Sequence, residues 1–276
     1  MALRAAPLST ALVLIACTSL TACIPPGVEA ARKRDGDVTP KTRVAPWTGG
    51  EDLNVGVPGE VRYVQGPANQ VQISGPTRAV DRVEVEGSQI YMKPRFGWWA
   101  WWRDDRLSIT VTAPRISSAH LSGSGRLVLG QMNQDRLSLG VSGSGGATAG
   151  GTIKSLSVHV SGSGGAKLSG LTTSEMNAGV SGSGWITAAG VGDKLDLSIS
   201  GSGHANMSEL TLNEANVQIS GSGSASLAPK QEADVGVSGS GHVSLLTEPV
   251  HLSTHRSGSG SISHPGGASG SRDSTN

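Results

Sequence analysis

The chain has 276 residues, 40 of them glycine, with aromatic residues at 3% and a single Phe. That composition excludes an ordinary globular core built around large rings. The balance of 22 Lys and Arg against 21 Asp and Glu excludes the lopsided charge of a polybasic nucleic-acid binder. The two cysteines, Cys17 and Cys23, stand near the N-terminus, so the body holds neither a disulfide framework nor a cysteine-rich metal site.

Arg4 precedes a largely apolar stretch running through Ala11-Leu12-Val13-Leu14-Ile15-Ala16. This is the charged and apolar pattern of an export signal, too short for a membrane-spanning helix. Leu20-Thr21-Ala22-Cys23 then resembles the lipobox of bacterial lipoproteins, in which the cysteine is lipidated and becomes the first residue of the mature chain. Leu14-Ile15-Ala16-Cys17 is a second match, but it leaves a very short apolar region, so Cys23 is preferred. Stable anchoring needs more than one acyl chain, a requirement that the lipidated cysteine implied by the resemblance meets. No Asp follows Cys23, where Ile24-Pro25 stand, and the resemblance therefore implies outer-membrane placement. Residues 24–50, with prolines at 25, 26, 40 and 46 and the run Arg32-Lys33-Arg34-Asp35, read as a flexible tether between lipid and folded body.

Residues 51–264 read as one domain. Asn54-Val55-Gly56-Val57, Val71-Gln72-Ile73-Ser74, Val83-Glu84-Val85-Glu86 and Leu107-Ser108-Ile109-Thr110-Val111 alternate as strands without a regular period. They predict less regular coils or a small antiparallel cap. From about residue 116 a repeat takes over. Ser-Gly-Ser-Gly begins at Ser122, Ser142, Ser161, Ser181, Ser200, Ser220, Ser238 and Ser257, at spacings of 18 to 20 residues. Apolar residues stand one and three places before each of the first seven tetrapeptides, as in Val160 and Val158 or Ile199 and Leu197. Another apolar column, from Leu127 and Ala147 to Ile262, follows each first serine by five places. This period is too short for a helical module and predicts an all-β fold, a parallel β-helix whose coils of about 19–20 residues stack roughly 4.8 Å apart. Eight coils would span roughly 34 Å across seven spacings. Glycines permit the corners, serine hydroxyls are expected to form ladders between coils, and a narrow interior accounts for Ala, Val and Leu in place of aromatics. Thr254, Arg256 and His264 break the apolar pattern and predict a C-terminal cap. Residues 265–276 read as a loose tail.

The string Leu107-Ser108-Ile109-Thr110-Val111-Thr112-Ala113-Pro114, followed by Leu121 and the serial Ser-Gly-Ser-Gly turns, resembles the putative auto-transporter adhesin, head GIN domain family. The resemblance covers roughly residues 52–264. It implies a β-helical, exported and often lipid-anchored protein, and it carries over no catalytic residues. The Trp-rich insertion is a departure from the family pattern.

Candidates for chemistry are few. Asp196 and Asp234 share an outward column with Asn177 and Asn216 and would lie about 9.6 Å apart. That is at or beyond the upper limit of about 9.5 Å for an inverting carboxylate pair, and an exposed Asn/Asp ladder accounts for them better. His204 and His242 share a column with Ser224 between them, too far apart to hold a zinc ion easily, and read as surface histidines. No cofactor is expected. The local anomaly is Phe96-Gly97-Trp98-Trp99-Ala100-Trp101-Trp102, flanked by Lys93, Arg95 and Arg103. It reads either as an aromatic lid on the N-terminal end or as a tip that stacks on sugars or enters a membrane interface. Trp185 is a further aromatic position, read as an isolated exposed ring or a second adhesive spot. The sequence thus points to a non-catalytic, lipid-anchored envelope protein that presents a β surface to a glycan or another envelope component. Its alternatives are a purely structural component and a glycan-active enzyme.

Overall fold

The computed structural model describes residues 39–93 and 107–266. The repeats form a β-solenoid of about seven turns. Its regular part consists of β9 (Arg126–Gly143), β10 (Gly146–Gly162), β11 (Gly165–Gly182), β12 (Trp185–Gly201), β13 (His204–Gly221) and β14 (Ser224–Gly239). Each is one coil, paired in parallel with the coils before and after it. The first half of each coil lies on one face, termed face A, and the second half on the other, face B. Equivalent positions stack, so Val141, Val160, Val180, Ile199, Ile219 and Val237 form one buried column. Alternate residues point inward, as the pleat requires, and the core is almost wholly aliphatic.

The Ser-Gly-Ser-Gly corner joins face B of one coil to face A of the next. Its first glycine has φ between 92° and 117° in all eight copies, a region open to glycine and costly for other residues. Its second glycine is buried, and a Cβ there would fall 2.3–3.0 Å from a backbone oxygen of the neighbouring coil. The bonds between successive corners run from backbone to backbone. The Ser183 N–H, for example, donates to the Gly162 carbonyl at 2.9 Å and the Trp185 N–H to the Gly164 carbonyl at 3.1 Å. The expected serine ladder is thus made by the main chain, and most of the hydroxyls face solvent. Differences in coil length are absorbed at the opposite corner, where the register shifts occur, as between Leu168 and Leu171. Two buried polar side chains close that corner. Gln134 Nε2 donates to the Ile116 and Arg136 carbonyls at 2.9 and 2.6 Å, and Thr173 Oγ1 donates to those of Lys154 and Glu175 at 3.2 and 3.0 Å.

The N-terminal strands continue both faces, out of chain order. They are β1 (Pro40–Pro46), β2 (Asp52–Gly56), β3 (Glu60–Gln65), β4 (Gln70–Pro76), β5 (Val83–Glu86), β6 (Gln89–Met92), β7 (Ser108–Ala113) and β8 (Ser118–Gly123), with a short helix α1 (Thr77–Val80) after β4. Outward from β9, face A runs β3, β7, β4, β1 and face B runs β8, β2, β6, β5. The coil made by β2 and β3 is therefore inserted between the coil of β6 and β7 and that of β8 and β9. The outermost strands, β1, β4 and β5, pair antiparallel and finish the stack. Irregular coils and an antiparallel cap, the two expectations for this region, are both present.

One boundary differs from the sequence reading. The sequence places the end of the tether at residue 50, yet Pro40–Pro46 is a strand and Trp47 is 4% exposed, its Nε1 donating to the Gly50 carbonyl at 3.2 Å. Proline does not preclude this, because β1 is an edge strand and its prolines stand at its ends. At the other end, β15 (His242–Leu245) and β16 (His251–Ser257) form the last two-faced coil, and β17 (Ser261–Ser263) stacks on β15 as the start of one more. Thr254 and Arg256 align with the buried Val235 and Val237 but are exposed, and Arg256 Nη1 reaches back to the Gly260 carbonyl at 3.2 Å.

Two measurements test this account. Gly184→Ala places a Cβ 2.6 Å from Val160 Cγ1 and 2.7 Å from the Gly164 oxygen, and should destabilise by about 1–3 kcal/mol in urea unfolding. Ser183→Ala, exposed on the same corner, should change stability by less than about 0.5 kcal/mol, and equal effects would contradict close packing at the corner. The second test is alkaline titration of the two tyrosines. Burial raises the Tyr63 phenol, which donates to the Ala113 carbonyl at 3.0 Å, and a hydrogen bond with Glu86 raises that of Tyr91. A raised phenol stabilises the fold fully below its unfolded value, about 10, and that stability is lost as pH rises through the folded value. Both should therefore ionise at higher pH in the native protein than in denaturant, read as phenolate absorbance.

Candidate functional site

Side chains with chemical capacity lie in outward columns, each set by the alternation of a strand and repeated from coil to coil. On face B one column reads Ser138, Ser157, Asn177, Asp196, Asn216, Asp234, as the spacing predicts. Asn216 stands between the two aspartates and donates from Nδ2 to Asp196 Oδ1 at 3.2 Å. An amide thus occupies the space that a hydrolytic water and a scissile bond would need, and the ladder reading accounts for the column.

The neighbouring column, two places before each tetrapeptide, reads His120, Gly140, His159, Gly179, Ser198, Gln218, Gly236, His255. A large side chain here lies across a glycine of the next coil. A Cβ on Gly140 would fall 2.2 Å from His120 Nδ1, one on Gly179 2.6 Å from His159 Cε1, and one on Gly236 2.2 Å from Gln218 Oε1. Sequence reasoning missed this pattern, although aligning the repeats on their tetrapeptides displays it. Around Gly179 it leaves a hollow of about 290 Å³ and mixed character, in which Ser157, His159, Asn177, Asp196, Asn216 and Gln218 stand beside apolar surface.

Another hollow, of about 390 Å³, opens at the corner opposite the tetrapeptides, and its lining includes Arg115, Gln134, Asp135 and Lys154. Lys154 Nζ lies 2.7 Å from Asp135 Oδ1, a hydrogen bond that lowers the Asp135 pKa and raises that of Lys154.

The aromatic candidates separate. Cys23, Trp98, Trp99, Trp101 and Trp102 lie outside the described residues. The flanks of the Trp-rich segment are well anchored. Lys93 follows β6 on face B; its carbonyl accepts from Arg82 Nη2 at 2.7 Å, and its ammonium pairs with Glu84 at 2.8 Å, which lowers the Glu84 pKa and raises its own. Leu107, buried, precedes β7 on face A, and its carbonyl accepts the Glu60 N–H just as the Gly59 carbonyl accepts that of Arg126. The segment therefore stands, along the chain, where other coils have their Ser-Gly-Ser-Gly corner. Trp185 is not an isolated ring. It is half-buried and lies over Gly165 of the adjoining coil, where a Cβ would fall 2.1 Å from its Cε2. It shares a column with His204, Ser224 and His242. His242 Nδ1 meets Ser261 Oγ at 2.7 Å. Among the described residues no group of three or more His, Cys, Asp or Glu side chains converges to hold an ion. Nor is any helix among them long and apolar enough to cross a membrane.

No curated protein matches the chain. Solved structures share its fold. A putative lipid binding protein from Parabacteroides distasonis ATCC 8503 is 20% identical with a TM-score of 0.73, covering 83% of this chain and 98% of its own. A putative adhesin from Parabacteroides merdae ATCC 43184 is 16% identical with a TM-score of 0.72, covering 83% and 97%. Another putative adhesin, from Bacteroides fragilis NCTC 9343, is 20% identical with a TM-score of 0.61, covering 82% and 97%. The family model described as "Putative auto-transporter adhesin, head GIN domain" matches residues 51–191 and 171–249, most of the solenoid, so the chain belongs to that family.

Proposed function

We propose that the protein is a non-catalytic, exported adhesin-like component of the bacterial envelope, held to a membrane by lipid on Cys23 and presenting the solenoid surface to a ligand. The observation that carries this reading is the pairing of an adhesin-family solenoid with outward columns of Ser, Asn, Asp and His. They offer many hydrogen-bonding groups, and the aspartate pair is interrupted by Asn216. Family membership supports export, and the lipobox-like Leu20-Thr21-Ala22-Cys23 supports an outer-membrane anchor. The segment between Cys23 and Thr39 is then what is left of the tether read from the sequence.

Within this reading Trp98, Trp99, Trp101 and Trp102 form a contact tip, because tryptophan combines a large apolar face with a hydrogen-bond donor suited to sugar rings and membrane interfaces. Trp185 belongs to the solenoid wall and supports the contact less directly. The corner hollow is lined mainly by polar groups, and the face-B hollow combines polar side chains with apolar surface, as a sugar ring with hydroxyls on its edge and C–H groups on its face requires.

Two arms of one experiment test the proposal. Expressed in a diderm bacterium, the full chain should partition with membranes, Cys23→Ala should release it, and Cys17→Ala should not. In the other arm, tryptophan emission of residues 24–276 is followed against a panel of glycans and lipid vesicles. A saturable shift that is lost in Trp98→Ala, Trp99→Ala supports the tip. Emission that is already blue and responds only to unfolding makes the segment a lid, and the contact tip is then rejected.

A further inference from the structure

We infer that the face-B hollow over Gly179 is a binding site for a neutral saccharide, an inference that deepens the adhesin reading and rests on it. The hollow exists because of a column rule. Stacked positions crowd one another, so the His159 ring leans across Gly179 and leaves no side chain between itself and Ser198 on the following coil. Any side chain at position 179 would fill the space and strike the imidazole.

The chemistry of the lining selects the ligand. Asn177, Asp196 and Asn216 form one wall, each a single coil from the next. The bond from Asn216 to Asp196 uses one amide hydrogen and one carboxylate oxygen, which leaves both groups with donor or acceptor capacity to spare. Gln218 Nε2 lies 3.5 Å from Asn216 Oδ1 and steadies that amide from the other side. Alternating donors and acceptors match hydroxyl groups, each of which is donor and acceptor at once, and the imidazole supplies a flat surface for a ring.

Charge narrows the class. The adjoining column carries Glu175, Lys194, Glu214 and Glu232, and Asp196 itself faces the hollow. Acidic groups outnumber basic ones here, so nucleic acids, anionic lipid headgroups and sulfated or uronic glycans are repelled. A volume of about 290 Å³ lies at the lower end of small-molecule sites, which run from roughly 300 to 1,000 Å³, and admits one sugar unit. Similar polar groups recur on coils about 4.8 Å apart, so further units of a chain find partners along the axis.

The test uses the full chain and short chitin- and cellulose-derived oligosaccharides, with heparin as the polyanion, measured by saturation-transfer NMR and calorimetry. One of the neutral oligosaccharides should bind and heparin should not. Asn177→Ala, Asn216→Ala should weaken binding roughly tenfold or more, as loss of direct hydrogen bonds implies, with an unchanged melting temperature because both side chains are exposed. Lys167→Ala, exposed on face A and away from the hollow, should leave that affinity intact. Failure of every neutral oligosaccharide to bind, or full affinity in the Asn177, Asn216 variant, overturns the site. Glycan binding lost only in Trp98→Ala, Trp99→Ala removes the hollow while leaving the adhesin reading in place.

Discussion

The close approach of successive backbones at the Ser-Gly-Ser-Gly corner governs this molecule. Elsewhere in a parallel sheet, neighbouring strands leave room for side chains on both faces. Here the second glycine of each corner backs onto the carbonyl of the coil before it, at distances no Cβ tolerates. Moving a coil by one residue would drive a serine into that contact, so the corner enforces register more strictly than the alternation of small aliphatics does. Coils of unequal length must still close, and their surplus residues are displaced to the opposite corner, where the ladders slip and Gln134 and Thr173 satisfy stranded carbonyls.

The same stacking shapes the exterior. Identical positions on adjacent coils place side chains side by side, which suits serine and valine but crowds rings and long amides. The structure relieves this by setting a large residue beside a glycine: His120 with Gly140, His159 with Gly179, Gln218 with Gly236, and Trp185 with Gly165. Each pair covers backbone that would otherwise face water. At Gly179 the relief extends beyond the ring and becomes a hollow, so a device that solves a packing problem also prepares a surface for recognition.

Much of this was legible in the sequence because the solenoid is one-dimensional. Register between coils follows from counting tetrapeptides, and the columns containing Asp196 and Asp234, or His204 and His242, stack as counting predicts. What counting does not reach is contact between unlike positions or order that departs from the chain. Trp185 reads as isolated until Gly165 is placed beneath it. Pro40–Pro46 reads as tether because proline and charge obscure an edge strand whose partner, Gln70–Pro76, lies a full excursion away. The insertion of the β2–β3 coil between its neighbours is equally hidden, since nothing in a local pattern states which neighbour a strand will choose.

That insertion explains where an aberrant segment is tolerated. Within the regular stack each corner is covered by the next, and extra residues there would force adjacent coils apart. The coil of β6 and β7 is the outermost parallel one, because β4 and β5 beyond it run antiparallel and finish the two faces separately. Its corner has a neighbouring coil on one side only, where the Leu107 carbonyl receives the Glu60 N–H. Glycine is therefore not required there, and Leu107 stands where Gly59 and Gly125 stand in the coils below. Arg82 and Glu84 hold Lys93, and Glu60 holds Leu107. The stretch of sequence that carries the four clustered tryptophans thus connects β6 and β7, the two strands of the outermost parallel coil.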